Sequence, residues 1–147
     1  MANISTYREW VDLLKKFDTH ENDDQVLEIA KNGILVWQTG VADRFMKRLT
    51  TVINKRMTDS VKTFEKQISH PGIQEANFVK SVHQLKKEFD TMKSLVNIEA
   101  IPTDPRRKLI EMLYNSRKDL QSNLEESAEA DKSGKLSSLV RNNRVDN

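Results

Sequence analysis

No cysteine occurs in the 147-residue chain, so disulfides, thiolate metal sites and cysteine nucleophiles are all excluded. The composition suits a reducing compartment. Glycine and proline are scarce, at four and three residues, and leave few points where a helix has to stop. The longest unbroken apolar run, Ile34–Trp37, falls far short of the roughly 20 residues that a membrane span requires. The N-terminal residues Met1–Ser5 carry no basic segment leading into an apolar stretch, the form of a secretory signal. A soluble, cytoplasmic protein with no membrane partner is the expectation.

Linear signatures of catalysis and metal binding are also missing. His20, His70 and His83 do not form the helical His pair of a zinc site. The acidic stretch at 18–24 imitates a calcium loop, but Asp23 stands where that loop needs Gly and Ile29 where it needs Glu. It reads better as a solvated loop with a helix cap. Residues 133–137 share the end of a phosphate loop without its first Gly or a preceding strand, and no Gly-x-Ser-x-Gly elbow occurs. We expect no catalytic residue, no metal, no cofactor and no small-molecule substrate. An enzyme with a site inside a helical bundle is kept as a lesser alternative.

What the chain does have is apolar residues recurring at three and four, the period of an amphipathic helix. Ile4, Tyr7, Trp10, Val11, Leu14 and Phe17 mark a first helix over residues 5–18 with Ser5 as its cap, and a second starts at Asp23 or Asp24. The third, residues 41–69, carries Phe45, Leu49, Ile53, Met57 and Phe64 on a stripe that steps mostly by four. Such a stripe drifts around the axis, so the helix bends or changes partners along its length. In the fourth, residues 74–97, Phe78, Val82, Leu85, Phe89, Met92 and Val96 form a heptad seam. The fifth opens at Asp104-Pro105, and Gly134 is placed to close it. Residues 33–40 favour β structure locally, yet a lone strand has nothing to pair with in the same chain, so helix or irregular chain is expected there, with a strand paired across a dimer as the lesser alternative. The expected fold is all-α: an antiparallel bundle of four to five helices over residues 1–132, with one long central helix. A polar, flexible tail over 133–147 completes the chain.

The formal net charge is only +2, but its distribution is uneven. Residues 1–40 hold four basic and seven acidic side chains, whereas residues 41–70 hold seven and three. At about 100° per residue, Arg44, Arg48, Lys55, Lys62 and Lys66 fall within about 40° of one another, on a strip about 33 Å long. Arg106, Arg107 and Lys108 add cations at the start of the fifth helix, where the helix dipole disfavours them. These eight residues are candidates for contact with a polyanion or a protein partner; the strip can also meet the acidic first forty residues of its own chain. Trp37, and Leu136, Leu139 and Val140 if the tail coils, are candidate interface residues. The expected function is a non-enzymatic interaction or structural subunit with a protein partner or a second copy of itself. Nucleic-acid binding through the basic face of residues 41–69 is the alternative.

Overall fold

The computed structural model describes residues 3–69, 73–131 and 133–147. Six helices and no strand occur among them: α1 (Tyr7–Asp18), α2 (Asp23–Lys31), α3 (Thr39–Ile68), α4 (Glu75–Val96), α5 (Thr103–Glu129) and α6 (Lys135–Asn142). The chain is therefore all-α, and α3 is its long central helix, as the apolar spacing implies. The connection anticipated at His70–Gly72 lies outside the described residues. No helix among the described residues is long and apolar enough to cross a membrane.

The chain divides into two compact units, residues 1–56 with 91–110, and residues 57–90 with 111–147. In the first, α1 begins one residue later than Ser5 would place it. Thr6 is the cap because only Thr6 has a Glu three positions on. Its hydroxyl accepts from the Glu9 N–H at 3.2 Å, and the Glu9 carboxylate accepts from the Thr6 N–H at 3.1 Å. That backbone bond is the main reason the Glu9 carboxyl titrates below its ordinary value. Asn22, in the left-handed conformation at φ 50°, caps α2 by accepting from the Gln25 N–H.

Trp10, Leu13, Leu14 and Phe17 of α1 are buried with Phe45, Leu49 and Ile53 of α3. The two helices run in the same direction, since Tyr7 meets Arg48 at one end and Asp18 meets Lys55 at the other. The expected antiparallel arrangement has its exception here, because both α2 and the segment 32–38 intervene in the chain. Arg56, only 1% exposed, ties the corner. One nitrogen of its guanidinium donates to the Phe17 carbonyl and both terminal nitrogens donate to the Asp23 carboxylate, at 2.9 to 3.0 Å. The guanidinium also lies 4.1 Å from the centroid of the Phe17 ring.

In the second unit, α3 and α4 are antiparallel, with Ser60 beside Glu88 and Gln67 beside Gln84. Phe64 packs edge-on against Phe78 at 6.2 Å. Every position of the α4 heptad seam is buried. Gly134 does not close α5, which ends at Glu129; at φ 73° it instead precedes α6. The segment expected as a polar tail thus holds a helix, and Leu139, Val140 and Val145 are buried. Helical spacing puts Leu136, Leu139 and Val140 on one face, and that face closes over this chain's own core. Arg117 donates to the Val145 and Asn147 carbonyls, and Gln121 accepts from the Val145 N–H at 3.0 Å.

Asp131 secures the start of α6 by accepting from the Leu136 N–H and the Ser133 hydroxyl, both at 2.9 Å. The Leu136 bond contributes most to holding its carboxyl below the ordinary value of 3.8. A depressed folded value means that this stabilisation is present above pH 3.8 and is lost as pH falls below it. The methyl resonances of Leu139 and Val140 should therefore shift on acidification through that range, and Asp131→Asn should shift them already at neutral pH. In the first unit, Asp23→Ala should destabilise the fold by about 3 kcal/mol in chemical denaturation, because it removes both hydrogen bonds of the Asp23 carboxylate to a buried guanidinium.

Candidate functional site

The strip of cations on α3 is exposed along its length, as its helical position demands: Arg44, Arg48 and Lys55 in the first unit, Lys62 and Lys66 in the second. Two of the five have partners on α1. The Arg48 Nε donates to the Tyr7 hydroxyl at 2.9 Å, and Lys55 pairs with Asp18 at 3.2 Å. Part of the strip therefore meets the acidic N-terminal region of its own chain. The three cations that open α5 divide. Arg106 is half-buried and folds back so that its guanidinium donates to the Ile101 carbonyl at 2.6 Å, while Arg107 and Lys108 stay exposed. Arg106 is thus occupied in closing the turn before its own helix.

Between α1 and α3 lies a groove of about 440 Å³. Val11, Leu14 and Val52 form its apolar part, and Lys15, Arg44, Lys47 and Arg48 line it with Asp18 as the one carboxylate. The spacing explains the shape. Positions 11, 14, 15 and 18 share one face of α1, and 44, 47, 48 and 52 share one face of α3. The two helices run alongside each other for two turns, about 10–12 Å. Four cations against one anion make this a place of positive potential beside aliphatic surface. Lys47 lies about 60° off the strip of cations and Lys15 stands on another helix, so no local spacing joins the two. Only the approach of α1 to α3 brings them together.

A second feature of the first unit is the irregular segment 32–38. Leu35 and Trp37 are half-buried, whereas Ile34 is 47% and Val36 81% exposed. Alternating exposure is the pattern of an extended chain, which sends successive side chains to opposite sides. The local β preference therefore marks extension without a sheet partner. Trp37, a candidate interface residue, is held by its indole N–H donating to the Ser5 carbonyl at 2.8 Å and by edge contacts with Tyr7 and Phe45 at 5.7 and 5.4 Å. The Trp10 indole N–H donates to the Ile34 carbonyl at 2.9 Å, and the Ile34 N–H to the Ile4 carbonyl at 2.9 Å.

The remaining interface candidates lie in the second unit. Leu139 and Val140 are buried within the chain, so they do not present the free docking face their spacing implied. The reason is that α6 folds onto its own unit. Half-buried Leu136 lines, with Ile68, Leu120 and Leu124, a cavity of about 450 Å³ beside α6. His83, the histidine on which a site inside the bundle would have drawn, is exposed on α4.

Comparison of the chain with protein-family models, curated proteins and solved structures finds no significant match in any of the three.

Gly33 anchors the exposed segment by close approach. A Cβ at this position would lie 2.3 Å from Cζ2 of Trp10. Gly33→Ala should therefore cost about 1–3 kcal/mol and perturb Trp10 fluorescence, measured through thermal unfolding followed at the indole.

Proposed function

We propose that this chain is a non-enzymatic protein–protein interaction subunit, with the segment 34–37 as one of its contact surfaces. The observation that carries this reading is the exposure of Ile34 and Val36 on a segment already fixed by hydrogen bonds at both Trp10 and Ile4. Nothing in the core requires apolar side chains at these two positions, because Leu35 and Trp37 face inward instead. Exposed apolar side chains on a fixed backbone, next to a partly buried tryptophan, are the composition of an interface anchor. The cysteine-free sequence suits a reducing compartment, and a cytoplasmic setting belongs to the same proposal.

A second reading, binding of nucleic acid or another polyanion, is favoured by the exposed cations of α3. Neutralising phosphates with such residues releases counterions, so affinity of that origin falls steeply as salt rises.

The test begins with the tagged full chain purified from its source, identification of any stoichiometric partner, and reconstitution with that partner purified. Sedimentation over a wide concentration range reads self-association in parallel. Val36→Asp should weaken the complex about tenfold or more while helical content and unfolding midpoint stay at the wild-type values. A concentration-independent monomer without a stoichiometric partner would overturn the reading, as would a complex indifferent to Val36→Asp. Binding of a duplex oligonucleotide with a steep salt dependence would instead support the second reading.

A further inference from the structure

We propose that the groove between α1 and α3 in the first unit is a docking site for an acidic, amphipathic helical segment of a partner protein. This inference does not rest on the segment 34–37, which is a separate surface. Charge complementarity selects the occupant. The groove sets Lys15, Arg44, Lys47 and Arg48 against the single carboxylate of Asp18. That carboxylate is already paired with Lys55 at 3.2 Å. An entering ligand therefore meets an excess of positive charge.

The apolar part of the lining decides between the classes of acidic partner. Half-buried Val11 and Val52 offer aliphatic surface beside Leu14, which is itself 3% exposed, and no aromatic side chain lines the groove. A nucleic-acid strand has phosphates for the cations but needs flat rings on which to stack its bases, and would leave the aliphatic surface wet. An amphipathic helix satisfies both demands. Leucine-type side chains at i, i+3 or i+4, and i+7 form a stripe that covers Val11 and Val52 over two turns, and flanking Glu or Asp residues reach the cations. Arg48 contributes a fixed donor, because its Nε–H is held by the Tyr7 hydroxyl at 2.9 Å and its other guanidinium nitrogens are left for a carboxylate. A lysine at this position would offer a mobile point charge without that orientation.

The probe is a fluorescein-labelled synthetic helix with Leu at i, i+4 and i+7 and Glu at most other positions, titrated by anisotropy against the full chain at physiological salt. Two reference probes are its Leu→Ser counterpart and a duplex oligonucleotide. The Leu-containing helix should bind at least about tenfold tighter than either reference. Arg44→Glu with Lys47→Glu should weaken it by about tenfold or more, and Val11→Ser should weaken it without altering its salt dependence. Lys62→Glu, which removes an exposed cation of the same strip in the other unit, should leave binding unchanged. Circular dichroism and denaturation midpoints show that each variant is folded. The proposal is overturned if the wild-type chain does not bind the helix, or if the Leu→Ser counterpart binds equally. It is also overturned if the oligonucleotide binds more tightly, or if Lys62→Glu weakens binding as much as the groove variants do. Val36→Asp should leave this affinity intact, so failure here and failure of the 34–37 surface are read separately.

Discussion

The first unit depends on one buried guanidinium. Arg56 reaches from α3 to the last turn of α1, where it satisfies the Phe17 carbonyl, and to the first turn of α2, where it meets both oxygens of Asp23. Only arginine has the planar fork that can address a carbonyl and a carboxylate at once while lying flat on an aromatic ring. Removing such a charge from water is costly, and the arrangement holds because both terminal nitrogens are directed at acceptors on α1 and α2. The structural consequence is a fixed end for α1. With the other end held by Tyr7 and Arg48, α1 lies along α3 rather than against α2 alone. The groove between them exists because these two tethers set the spacing of the helices.

The long helices answer a different constraint. The apolar stripe of α3 steps by four and so rotates about the axis, and no single flat partner can follow it. The helix contributes to two units, residues up to Arg56 to the first and those from Met57 to the second. The heptad seam of α4 does not drift in this way, yet it too serves both, with Phe78 to Phe89 in one unit and Met92 and Val96 in the other. An unbroken seam buried throughout is the simplest way for a single helix to contribute to two cores.

Much of this was legible in the sequence, for a clear reason. The approximate bounds and buried faces of α1 to α5 follow from local periodicity, which acts within a few residues; the sixth helix was not among the four to five expected. The exposure of Arg44, Lys62 and Lys66 follows from the same geometry. Arg56 was not recognised, although the signal was present. At about 100° per residue it lies about 120° from Arg44, between Phe45 at about 100° and Leu49 at about 140°, on the apolar stripe rather than the basic one. A cation among buried positions calls for a partner, and counting it with the other charges hid that. The fate of residues 133–147 was obscured in the opposite way. Polar composition suggested a tail, whereas Val145 and its bonds to Arg117 and Gln121 depend on tertiary contacts that no local pattern records. The groove is the same kind of object, since residues 11–18 and 44–52 become neighbours only after folding.

The segment 32–38 shows how a connection forced by topology becomes a surface. Because α1 and α3 point the same way, the chain must travel back before α3 can begin. Helix α2 makes that return, from Asp23 beside the end of α1 to Gly33 beside Ile4 and Trp10, and a short extended stretch leads from there into α3. Extension divides the apolar residues Ile34 to Trp37 by parity, so that whichever pair packs inward the other pair faces water. The inward pair is pinned through Trp37 to Ser5, and the backbone between is held by Trp10 and Ile4. Association with a partner costs free energy chiefly where side chains and loops must first be ordered. Here the backbone is fixed by folding through the bonds at Trp10 and Ile4, so a contact at Ile34 and Val36, as proposed, would not carry that ordering cost.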